Sequence, residues 1–184
     1  MGEFIYVDNS NLFLEGRRVA AVKKGLADDI KQAMEHRTMD YEYQIDFGKL
    51  YEFLTQGEET ERCYLIGSRP PPNDTLWGIA ESKGFEVHVE DRNAANKEKK
   101  IDTTIATEML DDAYNENQKK DHTITLVSGD RDYVPPVKKL IKRGYSVDVV
   151  FWEHAAKELR DECSKFIPLD PYWEHLSYEK RSPR

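Results

Sequence analysis

The chain has 184 residues with 27 Lys+Arg against 35 Asp+Glu, a formal net charge of −8. That length fits one domain, or one domain with an insertion. Hydrophobic residues make up 39% and charged residues 34%, enough apolar material for a core and too patterned for a disordered solvating segment. No apolar run approaches the roughly 20 residues needed to cross a bilayer. The start, MGEFIYVDNSN, lacks a basic leader and a small-residue cleavage site, so a cytoplasmic protein without a membrane partner is expected. Cys63 and Cys163 are too few for a disulfide framework or a thiolate zinc site and are expected to be reduced thiols. The acidic balance argues against coating duplex nucleic acid by bulk charge, because each phosphate contact wants a cation. It leaves room for an enzyme that touches only a few phosphates.

Along the chain, Phe4–Val7 is a short β-branched and aromatic run that stops at Asp8-Asn9-Ser10-Asn11, a buried strand feeding a polar turn. Residues 12–44 read as an elaboration of the first crossover, helix-like to His36 and then Arg37–Tyr43, a flap or partner surface in which Tyr41 and Tyr43 are free to stack bases. Helical spacing returns with Phe47, Leu50, Tyr51, Phe53 and Leu54, and a second strand follows at Cys63–Ile66. Three prolines at 70–72 stiffen the next connection. A helix around Leu76, Ile79 and Ala80 ends at Gly84 before a strand at Phe85–Val89. A helix through Ile101, Ile105, Met109 and Ala113 precedes a fourth strand, Thr123–Val127. A last helix through Val137, Leu140 and Ile141 ends at Gly144 before a fifth strand at Ser146–Phe151. The alternation predicts an α/β fold, a mostly parallel five-stranded sheet covered on both faces, spanning residues 1–169 with a C-terminal extension at 170–184 whose end, from Ser177, reads as a frayed tail.

Four aspartates fall where a core does not require them. Asp8 follows the first strand, Asp130 and Asp132 follow the fourth, and Asp102 sits near the start of the middle helix. In an open parallel sheet, ligands bind in the crevice beyond the carboxyl ends of the strands. Carboxylates gathered there repel one another unless protonated or neutralised by a cation. Oxygen-only ligands suit Mg²⁺ or Mn²⁺, whereas the histidines at 36, 88, 122, 154 and 175 show no zinc spacing. Such an ion in such a crevice points to phosphodiester hydrolysis. The plainer alternative is that the acids serve as scattered N-caps and turn residues, Asp132 above all, ahead of Pro135 and Pro136.

Other candidates carry similar alternatives. Asn11 is expected to orient Asp8, although Asn also stabilises turns. Ser128 and Gly129 offer donors to a phosphate. Lys97, Lys99 and Lys100 form the nearest basic patch, and Arg69 is a rim contact. Glu108 lies six residues past Asp102, about 240° further round a helix, and joins the site only if the helix begins after Asp102 or the longer side chain reaches round.

Asp8-Asn9-Ser10-Asn11, Lys100-Ile101-Asp102 and Ser128-Gly129-Asp130-Arg131-Asp132-Tyr133, in that order, resemble the three signature regions of the NYN domain family, the LabA/DUF88-like branch of the PIN-like ribonucleases. The resemblance implies a three-layer α/β/α sandwich and a metal-dependent endoribonuclease using Mg²⁺ or Mn²⁺ on RNA. It implies Asp8, Asp102, Asp130 and Asp132 as metal ligands, with Glu108 where many members carry a further acid and Asn11 matching the asparagine after the first acid. A non-catalytic RNA- or protein-binding module of the same fold is the alternative, and a small phosphatase or nucleotide hydrolase a third. A homodimer or a protein partner could supply the cations that this acidic chain lacks.

Overall fold

β1 (Glu3–Asp8) carries Phe4, Ile5, Tyr6 and Val7 as an unbroken buried run, as a strand covered on both faces must. The structure, a computed structural model, describes residues 3–68, 75–90, 97–116 and 120–178, the side chains of residues 97–99 excepted. Among these residues β1 is joined by β2 (Arg62–Ser68), β3 (Glu86–Glu90), β4 (Thr123–Val127), β5 (Val147–Phe151) and β6 (Lys165–Pro168) in one all-parallel sheet of order β3-β2-β1-β4-β5-β6. The helices are α1 (Asn9–Lys23), α2 (Ile30–Glu35), α3 (Phe47–Thr55), α4 (Thr75–Ser82), α5 (Lys97–Asn115), α6 (Val134–Lys142) and α7 (Lys157–Glu162). Right-handed crossovers place α1, α3 and α4 on one face and α5, α6 and α7 on the other. The predicted α/β sandwich is therefore the fold.

Three expectations change. The sheet has six strands, not five. The sixth, Lys-Phe-Ile-Pro, is a four-residue edge strand, too short to show a pattern before β5 offers it Val149 and Val150 as partners. Residues 12–44 form no flap. α1 ends at Lys23, α2 packs on it, and Tyr43 is buried with its hydroxyl donating to the Trp173 carbonyl oxygen at 2.9 Å. Tyr43 is a core residue because Trp173, 130 positions away, covers it; Tyr41 does remain exposed. Ser177 and Tyr178 are also tied down, through a bridge between Ile45 and Ser177 and a bond from the Tyr178 amide to the Gln44 carbonyl oxygen. Gly84 and Gly144 adopt the left-handed turn expected after α4 and α6, with φ of +112° and +86°.

The far end of α5 is anchored from β2. Arg62 Nη1 lies 2.8 Å from both Glu108 and Asp112, its Nε and Nη2 reach Glu86 at 3.1 and 3.0 Å, and its guanidinium stacks on Tyr64. Tyr6 also donates its hydroxyl to Asp112. α5 is thus held against β1 and β2 by a charged cluster at the opposite end from Asp102. Replacing Arg62 with Met would leave these acids crowded and partly buried without a cation. Arg62→Met is expected to cost about 3 kcal/mol, read as a lower denaturation midpoint at unchanged m-value.

Candidate active site

The sheet order runs outward in opposite directions from β1 and β4, so the chain ends diverge above this pair and leave a crevice. Val7 pairs with Val127, which puts Asp8 and the Ser128-Gly129-Asp130 turn side by side. The crevice is a cavity of about 250 Å³ lined by Asp8, Ser10, Asn11, Leu14, Ile101, Asp102, Asp130 and Asp132. All four expected aspartates, from three separate parts of the chain, share this one cavity. A larger groove of about 610 Å³ lies over the other sheet face beside α3, among Glu3, Asp148, Lys165 and Tyr172. It gathers none of the motif residues, so the smaller crevice is the candidate site.

Each acid is set by local structure. Asp8 caps α1, its Oδ1 accepting the Asn11 amide at 3.0 Å. Asp130 caps the short 3₁₀ turn Arg131–Tyr133 by accepting the Asp132 amide at 2.9 Å. Asp132 is exposed at the rim. Asp102 lies in the second turn of α5, one residue from the buried Ile101. Asp8 and Asp130 are therefore caps that also line the crevice.

Asn11 stitches the two strand ends together. Its Oδ1 accepts from the Ser128 hydroxyl at 2.9 Å and from the Gly129 amide at 3.0 Å. Ser128, expected at a phosphate, is fully buried, and its hydroxyl is spent on Asn11. It holds the turn in place of touching substrate. Gly129 is needed for close approach, since a Cβ there would stand 2.2 Å from the Phe151 ring.

Tyr133 is the residue that sequence reading missed. It is fully buried, and its hydroxyl lies 3.2 Å from Asp8 Oδ2 and 3.1 Å from Asp102 Oδ1. One phenol carries one proton, so it cannot donate to both carboxylates at once. Burial pushes Asp8 up to about 6, with the neighbouring Asp130 charge adding to the rise and the Asn11 amide opposing it. Burial, and then the charge of Asp8, push Asp102 up to about 7. Burial followed by the two carboxylates raises the Tyr133 phenol, which stays protonated.

The remaining candidates stand apart. Glu108 is not in the crevice. Asp102 is already inside α5, so Glu108 falls on another face of the helix and pairs with Arg62. Lys100 is exposed and 3.5 Å from Glu90. Lys97 starts α5, but its side chain, like all of Arg69, lies outside the described residues. Arg131, at the mouth, is paired with Glu158 at 2.7 Å.

The NYN domain profile matches residues 4–170. The chain belongs to the NYN domain family. The NYN family is a branch of the PIN-like ribonuclease superfamily and generally nuclease-like. A solved structure similar to this NYN chain is a protein of unknown function from Vibrio parahaemolyticus, with 18% identity, a TM-score of 0.68 and 96% of each chain covered. That likeness shows the fold alone. No curated protein matches the chain. Among the described residues, no helix is long and apolar enough to cross a membrane.

NYN and PIN-like nucleases typically use divalent metals, and the donor set here can be tested for fit. Among the described residues, no group of three Asp, Glu, His or Cys side chains is gathered tightly enough to hold an ion. The donors nevertheless fit in kind. They are all carboxylate oxygens, which suit hard divalent cations, and two of them are raised by burial and then by neighbouring negative charge, both of which a cation would offset.

Burial of these acids beside one another predicts a pH effect. Asp8 and Asp102 bind their protons more tightly folded than unfolded, so their contribution is fully present below about pH 4 and is lost as pH rises through 6 to 7. Asp102→Asn removes one charge. Screening at this partly exposed position leaves a gain of about 1–2 kcal/mol at pH 8 in EDTA, a rise in Tm of about 3–6 °C for a chain of this size. Differential scanning fluorimetry should show the gain shrinking toward pH 4.

Proposed function

We propose that this NYN domain is a divalent-metal-dependent endoribonuclease. The supporting observation is the convergence of Asp8, Asp102, Asp130 and Asp132 on one cavity at the point where the strand order reverses. Asp8, Asp102 and Asp130 would hold Mg²⁺ or Mn²⁺. A cation there supplies the charge that polarises a phosphoryl oxygen and eases loss of a proton from attacking water.

The chain's own groups do the rest. Asp132, exposed beside Asp130, is placed to accept a proton from water at the rim. Asn11 keeps the Asp8 and Asp130 turns in register. Leu14 and Ile101 supply the apolar lining of the cavity. Lys97, Lys100 and Arg69 are the cations assigned to the RNA backbone, Lys100 by exchanging Glu90 for a phosphate. The free cysteines, Cys63 and Cys163, accord with a reducing compartment such as the cytoplasm.

A second reading, a binding module without catalysis, is favoured by one observation: the acids are not drawn together around an ion site. A single assay separates the two. Structured and single-stranded RNAs are incubated with Mn²⁺ or Mg²⁺ and either wild type or Asp130→Asn. Because Asn caps a turn as well as Asp does, this variant should fold normally. It is expected to lose at least about 100-fold in cleavage rate, matching several kcal/mol of charge stabilisation. RNA bound but never cut would establish the binding module, and cleavage undiminished in the variant would expose a contaminant. Phosphate released from mononucleotides, with RNA intact, would indicate a phosphatase.

A further inference from the structure

Tyr133 Oη lies within hydrogen-bond distance of both Asp8 and Asp102, and it belongs to a residue that carries no charge and cannot itself be a strong ligand for a hard cation. We propose that Tyr133 is a positioning residue, a spacer whose hydroxyl sets the separation and orientation of the Asp8 and Asp102 carboxylates and thereby the cation affinity of the crevice. The inference rests on the metal-dependent reading of that site.

Three features carry it. The ring is fully buried and has only two side-chain torsions, so the position of its oxygen follows from the backbone of the Arg131–Tyr133 turn, which is itself fixed by the Asp130 cap and by packing of α6 behind it. The hydroxyl, donating its one proton to either acid in turn, lies within reach of one oxygen on each. On Asp8 it meets Oδ2, while Oδ1 is held by the Asn11 amide, so both oxygens of that carboxylate are oriented. On Asp102 it meets Oδ1, and among the described residues no donor reaches Oδ2. Among the described residues, Asp102 thus has one oxygen within reach of the phenol and one open to a cation.

The third feature is what happens without the hydroxyl. Two like-charged carboxylates with no common partner repel each other and adopt other rotamers. Cation binding must then restore the order that the phenol maintains. Groups that orient ligands without touching the ion typically change metal affinity by about 10–100-fold. Phenylalanine would fill the same space and supply no proton, so the effect can be separated from packing.

The test is a titration of Mn²⁺ into wild type and Tyr133→Phe without RNA, followed by water-proton relaxation into the millimolar range, with Tm recorded for both in EDTA. The expected result is Mn²⁺ binding weakened about tenfold or more in Tyr133→Phe, with Tm in EDTA kept within a few degrees. Equal Mn²⁺ affinity in the two proteins overturns the positioning role and leaves the metal site standing. No Mn²⁺ binding by wild type at millimolar concentration overturns the metal-dependent reading itself, and this inference with it. A crystal structure of Tyr133→Phe gives a second measurement: carboxylates that have parted support the spacer, and carboxylates that have not moved refute it.

Discussion

Like charge concentrated above β1 and β4 is the constraint around which this NYN domain is organised. Two unit charges roughly 5 Å apart at an effective dielectric constant of 20 repel by about 3 kcal/mol, a sizeable share of a domain's net stability. The fold tolerates the cost through uncharged donors. The Asn11 amide serves Asp8, the Asp132 amide serves Asp130, and the Tyr133 hydroxyl is shared between Asp8 and Asp102. Among the described residues no Lys or Arg forms an ion pair with any of these four aspartates. Among the described residues, the negative potential is therefore kept, not cancelled.

α5 shows the contrast within one element. At its lower end Glu108 and Asp112 are neutralised by Arg62, and the result is an anchor. Near its upper end Asp102 meets, among the described residues, a phenol and other acids, and burial together with those acids raises its proton affinity. Residues of the same chemical type on one helix thus divide into structural and chemically available groups according to whether a cation is built in beside them. Asp102 stands ten residues from Asp112, about 15 Å along the axis, so the anchor steadies the helix without touching the crevice.

Much of this was legible in the residues themselves. The five longer strands follow from apolar runs bounded by turn chemistry, and the aspartates at their ends mark the crevice because strand ends in a parallel sheet must diverge. What escaped detection depends on distant partners. Tyr43 looks available until Trp173 covers it, and Ser128 looks like a phosphate donor until Asn11 takes its hydroxyl. Tyr133 reads as an ordinary aromatic in a turn; only the packing of α5 against β1 and the turn brings its oxygen between two acids. The motif spacing hinted at it, since an aromatic directly after a capping acid pair has few places to go but inward. Glu108 was drawn toward the site by resemblance, whereas helical geometry alone already pointed it elsewhere.

The stitch made by Asn11 has a further implication for how such sequences drift. One carbonyl oxygen answers two donors, a hydroxyl and an amide, across the seam between the halves of the sheet. Aspartate at position 11 would keep the acceptor but add a fifth charge to the crowd, and alanine at position 128 would leave that oxygen half used. Positions 11 and 128 should therefore be inherited as a couple, changing jointly among descendants or not at all.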